Sequence, residues 1–394
     1  MKTKQLDKSE ASPLVQSKSL FKRIFCRRNR LICLISIIVI LMGIQFIPGA
    51  KPVAKSIIFK IIPGAGASTV RLHGTPAEMG RQHGEARSWS IALLMNIYIY
   101  RIICRGDEEK YRVRTAAAKK LLKKIDPRWL TEITATAKAA GVKPESMMLG
   151  NTFLDLGFYL AACRQVIVKT DNGLLHSHNL DWDNLAGVGN FLVTIFRTDA
   201  APGRFATVHL GFPGMIGALD IINEHGIALS FDQVGVAKGK CEMPVFIKMR
   251  DIAERCDSFE MAAKELLAMP PGMPFCIGLS DAKSGKFAVF ERGDSDKIKE
   301  RNPHESILTA DNNLWCGDKM TGRCSVDDVA HRINPTNIAG MKQVLRDEQV
   351  LLSCNIYSVI FDYQNNRFYL AAGNIPAAEG NYHEYPLFDK FSHK

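Results

Sequence analysis

Cys163-Arg-Gln-Val-Ile-Val-Lys-Thr-Asp-Asn-Gly-Leu-Leu-His-Ser-His-Asn-Leu-Asp-Trp-Asp183 decides how this 394-residue chain is read. Two apolar runs, 166–168 and 174–175, flank Thr170-Asp171-Asn172-Gly173. Asn-Gly between β-type runs is a strong hairpin signal because both residues tolerate positive φ. Cys163 therefore begins one strand, and the returning strand carries His178, Asn179 and Asp181 back towards it.

A cysteine at the start of a strand, with a carboxylate returned beside it, suits an N-terminal nucleophile. If the Ala162–Cys163 bond is cut, the freed α-amine serves as general base for its own thiol, and Asp181 orients that amine. This folds the usual nucleophile, base and orienting group into one residue and its neighbour. The upstream chain then reads as a pro-segment.

The hairpin, ending Asn-Leu-Asp-Trp, resembles the nucleophile hairpin of the autoproteolytic acyltransferases typified by isopenicillin-N (acyl-coenzyme A:6-aminopenicillanic acid) acyltransferase, which are cysteine N-terminal-nucleophile hydrolases. Asp181 lies 181 − 163 = 18 residues after the cysteine, the family's spacing. Leu72-His-Gly-Thr-Pro-Ala-Glu-Met-Gly-Arg-Gln-His-Gly84 is similar to the opening of the family's pro-segment. Gly217-Ala-Leu-Asp-Ile-Ile-Asn-Glu-His-Gly-Ile-Ala-Leu-Ser230 is similar to its Asn-x-x-Gly hairpin after the nucleophile. The three motifs stand in the family's order over about residues 70–390.

The resemblance implies an amidohydrolase or acyltransferase acting through an acyl-enzyme on Cys163. The substrate is expected to be a small-molecule or lipid-like N-acyl compound, the lipid-like kind hinted at by the apolar stretch 31–48 and allowed by the resemblance, and no cofactor is needed because the α-amine supplies the base. Asn312, in Thr309-Ala-Asp-Asn-Asn313, resembles a family region that donates to an oxyanion. The chain departs from the pattern at three places. Arg164 follows the nucleophile where Ser or Thr is usual, His178 takes a place often filled by arginine or glutamine, and Asp232 stands where an asparagine is expected. An ionised Asp232 would repel an oxyanion. Arg164, His178, Ser230 and Asp232 are read as pocket residues, and Asn179 as a site or hairpin residue.

Two rival readings follow. A membrane-tethered binding protein that kept the fold would explain Arg164 and Asp232. An unprocessed Cys–His hydrolase would pair Cys163 with His178. Alternation puts 177, 179 and 181 on one face and 178 on the other, which sets His178 apart from the Cys163–Asp181 pair.

Charge and hydropathy divide the rest. Residues 1–30 carry nine Lys/Arg against Asp7 and Glu10, a net of +7, leaving 11 − 7 = +4 for the remainder. No basic nucleic-acid face is indicated. Residues 31–48 are uncharged and apolar, the expected transmembrane helix, with the basic tail cytoplasmic and the catalytic domain extracytoplasmic. A cleaved signal peptide is the alternative. Residues 49–69 read as a linker, 70–162 as the helical α fragment and 163–394 as the catalytic β fragment, the two staying associated after cleavage.

Thr75-Pro-Ala-Glu78 is a capping box with proline at the first helical position. Helical patterns are predicted over 76–104, 107–125, 128–140 and 144–160, His83 being a structural helix residue. Strands follow over 164–169, 174–179, 191–197, 205–210, 216–222 and 226–232. Two helices, 244–256 and 258–269 with Ser258 as N-cap, precede strands 275–280, 286–292 and 306–310 and a hairpin of 356–363 with 367–372. That order fits an α+β, four-layer αββα sandwich, the N-terminal-nucleophile hydrolase fold that the resemblance implies. No Cys-x-x-Cys pair or Cys/His cluster has zinc-ligand spacing, so no metal is expected. Cys316 and Cys324 are a candidate disulfide and Arg323 a candidate anion binder.

Overall fold

The computed structural model describes residues 67–157, 161–182, 185, 189, 192–234, 241–293, 297–303, 305–312 and 325–388. The basic tail, the apolar span 31–48, Cys316, Cys324 and Arg323 lie outside the described residues. Among the described residues no helix is long and apolar enough to cross a membrane.

The first strand, β1 (Ser68–Leu72), begins inside the stretch read as linker. Thr75 then caps α1 (Pro76–Leu93): its hydroxyl accepts from the Glu78 amide at 3.3 Å, and the Glu78 carboxylate accepts from the Thr75 amide at 2.7 Å. The helix runs on as a π-helix, Leu94–Ile103. Next come α2 (Glu108–Leu122), α3 (Pro127–Ala140) and α4 (Pro144–Gly150), the last ending ten residues before the predicted boundary. The glycines of the Leu72–Gly84 motif set the α1–α3 crossing. A Cβ on Gly80 or Gly84 would lie 2.4 or 2.6 Å from a carbonyl oxygen of α3, so only glycine lets the two backbones approach this closely.

The strands are β2 (Ala161–Thr170), β3 (Gly173–Trp182), β4 (Thr194–Thr198), β5 (Thr207–Gly211), β6 (Asp220–Asn223) and β7 (Ile227–Gln233). After α5 (Val245–Arg255) and α6 (Phe259–Leu267) come β8 (Phe275–Asp281), β9 (Lys286–Arg292), β10 (Ile298–Arg301) and β11 (Ile307–Asp311). Helices α7 (Ser325–Ile333) and α8 (Ile338–Arg346) precede β12 (Asn355–Asp362), β13 (Arg367–Ala372) and β14 (His383–Pro386). Ser258 stands at the N-cap of α6 without a side-chain cap bond; Asp281 instead accepts from the Phe259 amide at 3.3 Å.

Two sheets result, one of eight strands in the order β1-β4-β5-β6-β7-β8-β9-β10 and one of six in the order β11-β2-β3-β12-β13-β14. Strands β2 and β3 pack on β7 and β8 of the other sheet. Helices α5 and α6 pack on the eight-stranded sheet, and α7 and α8 on the six-stranded one, so the layers run helix, sheet, sheet, helix. The mixed α/β architecture expected from the element order is present. Val166, Val168, Leu175 and Ile360 of the six-stranded sheet join Val329, Met341 and Leu345 in one apolar cluster, while Ile167 and Leu174 join Cys276 and Val289 between the sheets.

The hairpin register fixes what faces what. Thr170 opposes Gly173, and the ladder runs from there to Ala162 opposite Asp181 and Cys163 opposite Leu180. Of Asn172 and Gly173 only the glycine takes positive φ, 110°. The Thr170 hydroxyl tightens the turn, accepting from the Asn172 amide at 3.1 Å and donating to the Gly173 carbonyl at 2.9 Å. Side chains opposite each other share a face. Cys163, Gln165, His176, His178 and Leu180 therefore point between the sheets, and Asn179 and Asp181 point to the other side. This corrects the expected separation of His178 from the cysteine.

Candidate functional site

Four fully buried side chains from four strands meet between the sheets: Cys163 of β2, His178 of β3, Asp220 of β6 and Asp232 of β7. The motif Gly217–Ser230 builds half of this. Its Asn223 carboxamide accepts from the His225 and Ile227 amides, each at 3.0 Å, and Gly226 at φ 88° closes the turn. That turn joins β6 to β7, so that Asp220 and Ser230 oppose each other and Asp232 lies two residues on.

His178 is held on both sides. Its Nδ1 lies 2.8 Å from Asp220 Oδ2, and the Tyr357 hydroxyl donates to that same oxygen at 2.5 Å. Its Nε2 lies 3.3 Å from Asp232 Oδ1. Cys163, His178 and Asp232 offer atoms that all fall within 4.8 Å of one another. This cluster has no zinc-ligand spacing in sequence because its members come from separate strands. Sequence spacing registers only ligands that neighbour each other along the chain.

The electrostatics follow from burial and these partners. Burial alone would depress the His178 pKa, but the Asp220 charge and its hydrogen bond, with help from Asp232 and Cys163, hold it well above the ordinary histidine value. Asp220 moves the other way: burial pushes it up, and His178 with the neighbouring Ser230 and Tyr357 hydroxyls brings it below the usual carboxylate value. Burial pushes the Cys163 thiol up, His178 opposes this, and the Asp232 and Asp181 charges add to it. Burial likewise raises Asp232, against the pull of His178. The arrangement rests as an imidazolium–carboxylate pair beside a neutral thiol.

A second group of contacts surrounds the Cys163 backbone. Its amide donates to Asn312 Oδ1 at 2.9 Å, and Arg164 Nη1 reaches the same oxygen at 2.9 Å and the Cys163 carbonyl at 2.7 Å. The Asn312 amide nitrogen donates to the Gln233 carbonyl. Asp181, across the ladder from Ala162, accepts from Asn355 Nδ2 at 3.0 Å; burial raises its pKa to about 7, with Asn355 and then the nearby Arg164 charge acting against the rise.

Asn179 is not brought to this site. Its amide donates to the Leu345 carbonyl at 2.9 Å, tying β3 to α8. Ser230 stands beside Asp220 and not beside the sulfur. Asp220 and Tyr357 were not foreseen as site residues; Asp220 sits inside the quoted Gly217–Ser230 motif, whereas nothing local marks Tyr357. His83 is structural as expected: buried, its Nε2 accepts the Gly214 amide at 3.0 Å.

An apolar pocket is lined by residues near the four site side chains in sequence but by none of the four themselves. It is lined by Tyr98, Ile99, Phe153, Trp182, Phe212 and Leu219 among others, with Asp155 in its wall. Trp182 lies two residues beyond Leu180 on the inward face of β3, and Leu219 immediately precedes Asp220.

Comparison with known proteins bears on this geometry. Residues 168–316 match the family model of acyl-coenzyme A:6-aminopenicillanic acid acyl-transferase. The resemblance read from the hairpin and the Asn-x-x-Gly motif therefore holds. Cys163 and the Leu72–Gly84 motif fall outside the matched residues. A relative from Emericella nidulans, the 40 kDa form of acyl-coenzyme A:6-aminopenicillanic-acid-acyltransferase, is 27% identical over 174 residues, covering 41% of this chain and 46% of the relative. The match thus spans less than half of that protein's length.

Among solved structures, the Caenorhabditis elegans ortholog of N-acylethanolamine-hydrolyzing acid amidase is similar with a TM-score of 0.44 and 14% identity, covering 57% of this chain and 100% of that one. A mutant of conjugated bile acid hydrolase from Clostridium perfringens gives 0.39 at 14% identity, covering 58% and 97%. Penicillin V acylase from Agrobacterium tumefaciens gives 0.39 at 15% identity, covering 53% and 82%.

Proposed function

We propose that this chain is a cysteine N-terminal-nucleophile enzyme that hydrolyses or transfers acyl groups of N-acyl compounds through a thioester on Cys163. The observation that carries the reading is the polar contact made to the Cys163 backbone nitrogen. Asn312 accepts from the Cys163 nitrogen, and Asp181 stands opposite the residue whose removal would free it. A polar group aimed at a backbone nitrogen makes chemical sense where that nitrogen becomes a reacting amine.

In the uncut chain the Cys163 sulfur adds to the Ala162 carbonyl carbon, the Ala162–Cys163 C–N bond breaks, and the thiol's proton ends on the departing nitrogen. Water then hydrolyses the thioester, leaving a carboxylate on Ala162. The His178 imidazolium, kept charged by Asp220, stabilises the thiolate as it forms. In the cut enzyme the α-amine accepts the thiol's proton as sulfur attacks an amide or thioester substrate. It returns that proton to the leaving group, and water or an amine takes the acyl group.

The apolar pocket lined by Tyr98, Trp182 and Leu219 supports lipid-like or aromatic acyl groups as donors. The two fragments stay together in this reading. Strand β1 pairs in parallel with β4, Trp182 Nε1 donates to the Tyr98 hydroxyl at 2.9 Å, and Arg250 meets Glu132 at 2.7 Å, all across the cut. Residues 31–48 would anchor the protein with its catalytic part outside the cytoplasm.

A second reading has its own support. Cys163, His178 and Asp220 stand as nucleophile, imidazole and orienting carboxylate without any cut. Intact-mass measurement and N-terminal sequencing of the purified full chain beside Cys163→Ala separate the two. A fragment starting at Cys163 in the wild type and a whole chain in the variant support the N-terminal nucleophile. A whole wild-type chain that forms an acyl-thioester, lost in His178→Ala, supports the unprocessed hydrolase. A whole chain that never acylates overturns both and leaves a binding protein.

A further inference from the structure

We propose that Cys163, His178 and Asp232 form a binding site for one divalent cation of the zinc class. The donor set is a thiolate, an imidazole and a carboxylate, each of a kind that zinc takes. At zinc–nitrogen and zinc–oxygen distances of about 2.0–2.1 Å, two ligands of a tetrahedral ion stand about 3.3–3.4 Å apart. His178 Nε2 and Asp232 Oδ1 stand 3.3 Å apart. The donor atoms of all three residues fall within 4.8 Å of one another. A zinc–sulfur distance of about 2.3 Å puts sulfur about 3.5 Å from the other two donors, against an upper bound of 4.8 Å here, so the shift it asks for is at most on the order of 1 Å.

Two further observations point to a ligand here. Both carboxylate oxygens of Asp232 and the Nε2 of His178 are wholly buried and make no aligned hydrogen bond, although buried polar groups are nearly always satisfied. A cation would give these atoms a direct ligand bond in place of the loose 3.3 Å His178–Asp232 contact. The outer support is that of a metal-binding histidine. Its other ring nitrogen, Nδ1, is fixed by Asp220 at 2.8 Å, and Tyr357 fixes that carboxylate in turn. Such a carboxylate orients the ring and directs the free nitrogen at the metal.

Charge balance agrees. On binding, the Cys163 thiol and the His178 imidazolium each release a proton to solvent, and the dication then stands between a thiolate, a neutral imidazole and a carboxylate, a locally neutral set. Three protein ligands leave a fourth position for water or substrate, the arrangement of zinc sites that are not purely structural. While the ion is bound, its bond to sulfur withholds Cys163 from acyl transfer. The site needs only the three side chains in place, so it does not depend on whether the chain is cut.

The test uses cobalt(II), which reports thiolate ligation optically. The full chain is freed of metal by a chelator, its cut state is recorded by intact mass, and cobalt is titrated in. The expected result is one equivalent bound with a thiolate-to-cobalt charge-transfer band, displaced by an equivalent of zinc. Asp232→Asn should weaken binding by about tenfold or more, and Asp220→Asn by about 10–100-fold while the band persists. Cys163→Ser should lose the band. Circular dichroism verifies that each variant is folded, and the milder Asp220→Asn stands in should Asp232→Asn misfold. A wild type that takes up no stoichiometric cobalt, binds it without the band, or binds it as tightly with Asp232→Asn overturns the site. Cut state and acylation are separate readouts, so failure of the enzymatic reading is seen independently.

Discussion

Asp155 gives the most quantitative expectation. It lies in the turns after α4, buried in the wall of the apolar pocket, with Oδ1 accepting the Val245 amide at 3.0 Å and Oδ2 unpartnered. Burial pushes its pKa from 3.8 to about 7, against hydrogen bonds from the Val245 amide and its own. A carboxyl raised in the folded state favours folding fully only below its unfolded value. Between pH 3.8 and about 7 the unfolded chain gives up this proton while the folded chain keeps it, so stability falls as pH rises.

At about 1.36 kcal/mol per pKa unit the total loss is roughly 4 kcal/mol above pH 7. About 2 kcal/mol of that falls between pH 5.5 and 8.5. Asp155→Asn keeps the acceptor for Val245 and removes the titration. Its stability relative to wild type should therefore be greater at pH 8.5 than at pH 5.5 by about 2 kcal/mol, read from urea midpoints and slopes at the two values. An advantage equal at both pH values would refute the assignment of a raised Asp155, because only a titrating group makes the difference pH-dependent.

Two other perturbations test the frame and the site. Arg250 is buried against Glu132 and Glu254, each at 2.7 Å, and its Nη1 donates to the Ile216 carbonyl at 2.8 Å. Arg250→Met leaves the buried Glu132 carboxylate uncompensated and takes one partner from Glu254, which keeps Arg128; it should cost about 3–5 kcal/mol in chemical denaturation, a loss under about 1 kcal/mol contradicting this. Asp220→Asn removes the charge that keeps His178 protonated. It should slow formation of the fragment beginning at Cys163 by about 10²-fold or more, followed by intact mass over time, and an unchanged rate would remove His178 from the chemistry.

Local signals carry much of the fold. The Thr75–Glu78 capping box, the turn at 170–173 and the Asn223–Gly226 turn are each closed by hydrogen bonds among neighbours in sequence. Such contacts are visible in a string of residues. The strand β1 is not, because its partner β4 lies over a hundred residues away and its five residues look like the end of a linker. Helices α7 and α8 carry amphipathic patterns that the strand-rich texture around them conceals.

The site shows both cases. Asp181 against Ala162 follows from the hairpin alone. The facing of His178 also follows from it, since a turn that sets Thr170 opposite Gly173 sets Cys163 opposite Leu180 and so on the face of His178. Alternation along one strand misses this until the register is carried across to the other. Asp232 reads in the sequence as a misplaced oxyanion donor because its partner, His178, belongs to the other sheet. Tyr357 joins through β12, and no spacing rule reaches that far.

Strand β2 does not stop at its cysteine. It runs unbroken from Ala161 through Cys163, with Ala161 laddered to Trp182 and Ala162 to Asp181. A cut at that point would convert an interior link of a ladder into two chain ends, Ala162 and Cys163, each still paired to β3. The first acyl group the thiol met would be its own neighbour, used once. The bond lost in that turnover cannot be remade by the folded chain, which makes the cut a ratchet with no return stroke.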